Sequence, residues 1–254
     1  MVDENSKKND LVYYKADRLI QKTMPNSSLM NNRIICVLLC NFVQNPLSYN
    51  GELISSEISI HRILRLMDME PCAQNYQLIK GLLDSEIFDA EFVSPDDPSI
   101  KIHYFHSMRI DPDTNMIQFV WSSLIAPYLI NLLNGTGYTK FRCSSYLSLG
   151  SPRSQYLYEL LKSYEKQKRK RISVNELRKK LHIRPGTTFD QFKFFNSRVL
   201  KKCISEINAK TDILVRYSVI NEGRKAAYID FVITGKDESV DADAAADVTP
   251  PLLP

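Results

Sequence analysis

The residues in this chain whose types and spacing could do chemistry are nearly all cationic, and they crowd into its second half. Lys168, Arg169, Lys170 and Arg171 form one run. Lys193, Arg198 and Lys201 recur at helical spacing, and Arg216, Arg224 and Lys225 follow on segments of alternating pattern. Lysine offers a phosphate a compact point charge, while arginine offers a planar fork that grips a phosphate or two acceptors of a guanine edge. Gln191 carries the donor–acceptor pair that fits an adenine edge. Thr187, Thr188 and Ser197 add hydroxyls to the same stretch. The two threonines stand at an expected helix start, where free N–H groups accept a cap or a phosphate equally well.

Other chemistries find little support. The eight glycines are scattered, and Gly135-Thr136-Gly137 lacks the Lys-Ser/Thr of a phosphate-binding loop. His103 and His106 lie on one expected strand, where a period of two puts them on opposite faces. Asp96, Asp97, Asp111 and Asp113 stand among Pro and Ser as turn formers. Thirteen tyrosines are present, but no His-hydrophobe-His pair accompanies them, so a strand-nicking site has no metal ligands. The five cysteines are odd in number and contain no C-x-x-C, and read as reduced thiols. Cys36 and Cys40 are neighbours one helical turn apart and could share a metal, but read as small buried side chains. No catalytic residue, metal site or cofactor is expected.

The elements that must position the cations come next. At 254 residues and 44% hydrophobic, the chain suits one large domain or two small ones, each with its own core. The longest apolar stretch, Ile34 to Val43, falls short of the ~18 residues of a membrane span. The first ten residues are polar, so neither secretion nor membrane insertion is expected. The net charge of +4 hides a division. Residues 1–137 hold 11 basic and 16 acidic residues, net −5. Residues 138–236 hold 22 basic and 8 acidic, net +14, and residues 237–254 hold five acids and no base. A field of that strength on about a hundred residues attracts polyanions.

Periodicity predicts helices over 29–44, 57–69 and 73–88, then strands 100–104 and 117–121 joined as a hairpin through Asp111-Pro112-Asp113. The second half repeats that order. A helix is expected over 153–164. Ser173 and Glu176 form a capping box with Ile172 as its staple, opening a helix to about Leu181. Thr188 and Gln191 form a second capping box that opens a helix to about Asn208. Strands 213–220 and 226–233 follow, around Asn221–Lys225. The fold class is therefore α+β: two tandem winged-helix domains, each a helix–turn–helix closed by a β-hairpin. The expected boundaries are a flexible N-terminus 1–10, a first domain 11–137, a basic second domain 138–236, and a disordered acidic tail 237–254.

In such a motif the second helix of the helix–turn–helix enters the major groove. With Phe192, Phe195, Val199, Cys203 and Ile207 inward, the outward residues are Gln191, Lys193, Phe194, Ser197, Arg198 and Lys201. Arg198 and Gln191 are candidates for base edges, Lys193 and Lys201 for phosphates. Arg216, Arg224 and Lys225 would extend the contact from the wing, and Lys168–Arg171 would lie along a phosphate rail. Residues 70–99 carry seven acids and only Lys80 as a base, so the first domain reads as an interaction module with weak DNA contact. Its bases Lys15, Arg18, Lys22, Arg62 and Arg65 leave room for backbone contacts.

Several stretches now carry a resemblance. Leu157-Tyr158-Glu159-Leu160-Leu161, Ile172-Ser173-Val174-Asn175-Glu176-Leu177-Arg178 and Phe192-Lys193-Phe194-Phe195-Asn196-Ser197-Arg198-Val199-Leu200 occur in order. Glu206-Ile207-Asn208, Thr211-Asp212-Ile213 and Gly223-Arg224-Lys225 follow, and the opening Leu11–Ile20 belongs to the same pattern. Over residues 10–236 the chain resembles the replication initiators of iteron-type, theta-replicating plasmids. One position departs: Tyr156 stands where the family usually has Arg before the Leu-Tyr-Glu-Leu-Leu run.

The resemblance implies two winged-helix domains in a bacterial, cytoplasmic protein. The C-terminal one reads tandem origin repeats (iterons) in double-stranded DNA, and the N-terminal one mediates dimerisation and an accessory contact. It implies monomers that recruit the host initiator ATPase and replicative helicase, dimers that repress the protein's own gene, and no catalysed step. Two other readings stand beside it: a winged-helix transcriptional regulator without a replication role, and a DNA-nicking replication enzyme.

Overall fold

The computed structural model describes residues 11–22, 27–44, 47–49, 54–125, 128–129 and 137–236. The expected flexible start 1–10, the acidic tail 237–254 and Gly135-Thr136 lie outside the described residues. The chain divides into two compact units, 1–155 and 156–254.

The first unit opens with β1 (Val12–Ala16) and α1 (Asp17–Lys22), followed by α2 (Leu29–Gln44) and β2 (Leu47–Tyr49). Next come β3 (Ile54–Ser59), α3 (Ile60–Leu66) and α4 (Ala73–Leu82), which runs into a π-helical turn (Leu83–Ile87). The strands β4 (Glu91–Val93), β5 (Lys101–His103), β6 (Phe105–Ile110) and β7 (Met116–Trp121) follow. The unit closes with β8 (Tyr138–Arg142) and α5 (Cys143–Ser148). One sheet has the order β2-β3-β7-β6. Its core gathers Ile34, Val37 and Leu38 of α2 with Ile58, Ile63, Phe119 and Trp121, all at 2% exposure or less. Each such side chain gains ~1.5–3 kcal/mol on burial. The Trp121 indole N–H donates to Ser56 Oγ (3.4 Å), so its one polar atom is satisfied.

Three expectations for this unit are corrected. The helix expected over 57–69 begins only at Ile60. Residues 54–59 instead alternate buried and accessible, with Ile54, Ser56 and Ile58 inward, and their edge is taken by β7 in the register Ile58↔Ile117. Ser59 ends the strand and caps the helix, its Oγ accepting from the Arg62 N–H (3.2 Å). The hairpin does turn at Asp111, whose carboxylate accepts from the N–H groups of Asp113 and Thr114 (2.9 and 3.0 Å). Its strands, however, are β6 and β7, because Ile110 pairs with Ile117 directly across that turn. Residues 101–103 pair with 91–93 instead. Finally, the boundary lies at 155/156, not at 137/138. β8 pairs antiparallel with β1, residue by residue from Val12↔Arg142 to Ala16↔Tyr138, and Phe141 stacks on Tyr13 with centroids 5.0 Å apart.

The division falls within α6 (Pro152–Lys162). The second unit continues with β9 (Arg169–Ser173), α7 (Val174–Lys180) and a single 3-10 turn (Thr188–Asp190). α8 (Phe192–Phe195), a π-helical turn (Asn196–Leu200) and α9 (Lys201–Lys210) run on as one helix. The long strands β10 (Ile213–Glu222) and β11 (Lys225–Gly235) form the wing. The sheet order is β10-β11-β9. Leu157, Tyr158 and Leu161 of α6, Leu177 of α7, Phe195 and Ile207 of the long helix, and Ile229, Phe231 and Ile233 of β11 are fully buried and form its core.

The two units follow one plan. In each, a short strand precedes the second helix and pairs with the last strand of the hairpin, β3 with β7 and β9 with β11. A serine caps that second helix in each, Ser59 and Ser173. The third helix in each carries one i→i+5 turn, marked by Phe88 N–H to Leu83 O and Lys201 N–H to Asn196 O. Two tandem winged helices in a mixed α and β fold are thus what the chain forms.

Candidate nucleic-acid interface

The helix–turn–helix of the second unit is built from local signals. Ser173 Oγ accepts from the Glu176 N–H (3.1 Å), the expected cap of α7. Ile172 and Leu177 are both buried, as the staple requires. The turn after α7 bends through His182 and Gly186, both with positive φ (51° and 78°). Asp190 ties it together: its carboxylate accepts from the Gly186 N–H (2.7 Å), and its backbone carbonyl accepts from Arg178 Nη2 (2.8 Å). The Arg178 guanidinium also lies over the Phe195 ring, 5.2 Å from its centroid. Arg178 and Asp190 were missed from sequence, because neither their types nor their separation of twelve residues marks a pair.

The second capping box does not form. Thr187 and Thr188 belong to the 3-10 turn, where Thr187 Oγ1 donates to the Arg184 carbonyl (3.0 Å). The long helix starts at Phe192 with Gln191 as its cap residue, and no side chain caps it. Thr187 and Thr188 therefore lie a turn upstream of the helix start, in exposed positions.

The outward face is as the periodicity predicts. Gln191, Lys193, Ser197, Arg198 and Lys201 are exposed, while Phe195, Val199, Cys203 and Ile207 are buried. The π-helical turn adds a residue to the repeat, so Leu200 and Ile204 join the buried stripe. Phe194 is half-buried and serves as a platform for Arg198, whose guanidinium lies 4.9 Å from its centroid. Ser197 Oγ donates back to the Lys193 carbonyl (2.8 Å), leaving its oxygen as an outward acceptor. The Tyr217 hydroxyl of β10 donates to Asn196 Oδ1 (2.6 Å), joining the wing to the middle of the helix. Burial pushes the Tyr217 phenol upward, so it stays protonated as that donor.

The wing places Arg224 and Lys225 at its exposed tip, where Gly223 takes the positive φ (60°) that the tight turn demands. Lys193, Arg198, Lys201, Arg216, Arg224 and Lys225 make no ion pair among the described residues. Several acids of this unit pair with other bases. Lys162 pairs with Glu165 (2.6 Å) and Asp212 (3.0 Å), and Lys210 with Glu206 (2.9 Å).

The basic run is partly engaged within its own unit. Residues 169–173 are a strand, and Arg169 is clasped by Asp230: Nε donates to both carboxylate oxygens (3.0 and 3.1 Å) and Nη2 to Oδ2. Arg171 Nη2 stands 3.9 Å from the same oxygen. The Arg169 hydrogen bonds hold the Asp230 carboxyl below the usual carboxylate range. Lys170 points the other way, donating to the Tyr164 hydroxyl (2.9 Å) and lying over its ring. Lys168 turns the chain into the strand with φ 58°, and its carbonyl accepts from the Ile233 N–H (3.0 Å). Tyr156, the position that departs from the family pattern, packs its ring against His182, 5.6 Å between centroids.

The first unit differs on its matching surface. The turn and loop after α4 expose Asp84, Glu86 and Asp89. Of its bases, Arg18 is held by Asp96 (2.9 Å) and lies over Tyr128, and Lys22 donates to the Pro95 carbonyl (3.3 Å). His103 and His106 are exposed on separate strands, β5 and β6. Cys36 and Cys40 do lie together, joined by Cys143, with all three sulfurs within 4.8 Å. Burial pushes the Cys36 and Cys40 thiols well up, which favours their neutral form. Among the described residues no helix is long and apolar enough to cross a membrane.

Comparison with known proteins agrees with this geometry. A family model described as "Initiator Replication protein, WH1" matches residues 9–162, and one described as "Initiator Rep protein, WH2" matches residues 173–233. The chain is 32% identical over 154 residues to the PI protein of Escherichia coli, which covers 53% of this chain and 50% of that protein. The match thus spans about half the length of that curated relative. Among solved structures, the Pi initiator protein in complex with iteron DNA aligns with a TM-score of 0.72 at 21% identity, covering 89% of this chain and 97% of that one. That likeness is one of fold. Domains 2 and 3 of RctB align over 82% of this chain and 81% of that one, at a TM-score of 0.41 and 16% identity.

Proposed function

We propose, from the premise that the chain belongs to the initiator replication protein family, that it is a sequence-specific, double-stranded-DNA-binding initiator of plasmid replication. It binds tandem origin repeats and catalyses no step. The observation that carries this reading is the exposed face of the long helix, where Arg198 rests on Phe194 between the unpaired Lys193 and Lys201. Arg198 and Gln191 read base edges in the major groove, while Lys193 and Lys201 hold phosphates on either side. Arg224 and Lys225 bring the wing tip to the backbone or minor groove. Thr187, Thr188 and Ser197 offer hydroxyls to nearby phosphates. Lys168 stands just before the strand β9 and offers a further cation, whereas Arg169 and Lys170 already have partners within the unit.

The first unit acts in dimerisation and assembly. The acids exposed in the turn and loop after its third helix favour protein partners over phosphates. In this reading monomers engage the repeats in the bacterial cytoplasm and recruit the host initiator ATPase and replicative helicase, and dimers repress the chain's own gene.

A nuclease footprint on the DNA flanking the gene, taken at two salt concentrations, tests the proposal. Protection recurring about every two helical turns, ~20 bp, and strongest at low salt supports binding to tandem repeats. A single protected palindrome over the promoter would replace this reading with that of a dimeric transcriptional regulator.

A further inference from the structure

The outer face of the wing sheet carries a group of charges that the long helix does not use. The strand registers place Arg216, Val232 and Arg169 side by side in one row, and Ser218, Asp230 and Arg171 in the next. Cross-strand neighbours of this kind stand ~4.5–5.5 Å apart at Cβ. The opposite face of the same strands holds Ile172, Val215, Ile229, Phe231 and Ile233, all buried. Tyr217 shares that inner face and bonds to Asn196 of the long helix. The long helix therefore packs on the inner face, and the three arginines stand on the other side of the sheet.

Val232 is an anomaly there. It is 48% exposed, an apolar side chain flanked on both sides by arginines. Asp230 neutralises one of the three cations, leaving Arg171 and Arg216 with charge to spare. Such a face fits a segment that places acids on either side of an apolar residue.

The chain supplies one. Residues 237–254 carry five acids and no base, and begin Asp237-Glu238-Ser239-Val240-Asp241, with acids bracketing Val240. The point where this segment leaves the sheet is held firmly. The Lys236 N–H donates to the Asp212 carbonyl (3.0 Å), and its Nζ to the Asn208 carbonyl (2.7 Å). From Lys236 back to the row of Val232 is about four residues of strand, ~13 Å, and a segment of 18 residues, ~60 Å at full extension, has length enough to reverse and bring acids to the arginines. A tethered segment of this length acts at an effective concentration of ~1 mM, enough for weak pairings to be occupied.

We propose that the outer face of the wing sheet is a docking surface for residues 237–254 of the same chain, whose acids pair with Arg171 and Arg216 while the small apolar residues between those acids cover Val232. The docked segment cancels cations that face away from the reading helix, and so trims sequence-independent attraction to nucleic acid without touching Arg198. The contact is electrostatic and opens as salt rises.

The experiment places the photoreactive residue p-benzoylphenylalanine at position 232 of the full chain. After irradiation at low salt, peptide mapping of the monomer is expected to find the adduct within residues 237–254. The adduct is expected to vanish at 0.5–1 M salt, roughly the range where screening falls below a few ångströms. It is also expected to vanish in a chain carrying Asp237→Asn, Glu238→Gln, Asp241→Asn, Asp243→Asn and Asp247→Asn. An adduct elsewhere, an adduct joining two molecules, no adduct, or one that survives neutralisation of those acids overturns the proposal. The same photoreactive residue at Ser218, exposed one row away, repeats the test if position 232 disturbs the fold.

Discussion

The Arg198 guanidinium lies over the ring of Phe194, four residues before it on the same helix, 4.9 Å from the ring centroid. The ring is half-buried, so it offers the guanidinium a face that favours one arrangement of a side chain otherwise free to sample many rotamers. Pre-organisation of this kind reduces the entropy lost when the fork meets a base edge.

Arg198→Ala is expected to weaken binding to the specific repeat by ~1–3 kcal/mol, roughly fivefold to a hundredfold, with a much smaller loss on random duplex. Phe194→Ala should produce a weaker version of the same pattern, because Arg198 is then present but unsupported. Titrations of labelled repeat and scrambled DNA at one salt concentration decide the matter. Equal losses on both duplexes would remove Arg198 from base reading.

Lys193→Ala and Lys201→Ala are expected to behave differently. Each should lower affinity for all sequences alike and reduce the slope of log K against log salt by about one. A change in sequence preference without a change in slope would assign these lysines to bases.

Asp230→Asn should lower the melting temperature at pH 7, because it removes the partner of Arg169. The Asp230 carboxyl is held below its ordinary value, chiefly by those hydrogen bonds. Its contribution is therefore fully present above the unfolded value of ~3.9 and is lost as pH falls through the lower folded value. The parent and the variant should accordingly converge in melting temperature as pH drops below ~4. A gap that stays constant with pH would show that the carboxylate's charge is not what stabilises.

Tyr217→Phe removes the hydroxyl that joins the wing to Asn196. A net loss of ~0.5–1.5 kcal/mol in unfolding free energy is expected from denaturant titration. Binding to the repeat should weaken at the same time, because Asn196 precedes Ser197 and Arg198 in the π-helical turn. Stability loss with unchanged binding would confine the contact to packing.

The chain sequence alone determined the plan of two helix–turn–helix units with hairpins, the outward face Gln191, Lys193, Ser197, Arg198 and Lys201, and the cap at Ser173. These are local or periodic features: a serine three residues before its donor, or apolar side chains repeating every three to four positions, leave their mark on neighbouring residues. The family resemblance could be read from the order and spacing of the motifs for the same reason. The tertiary structure decided what depends on partners far away in the chain. β8 joins the first unit because Phe141 meets Tyr13 across 128 positions of sequence. Residues 54–59 are a strand because β7 offers them an edge, although their apolar spacing also suits a helix. Arg169, expected on a phosphate rail, is held by Asp230 one strand over. A lysine or arginine shows its charge in the sequence, but whether that charge is free depends on which carboxylate the fold brings beside it.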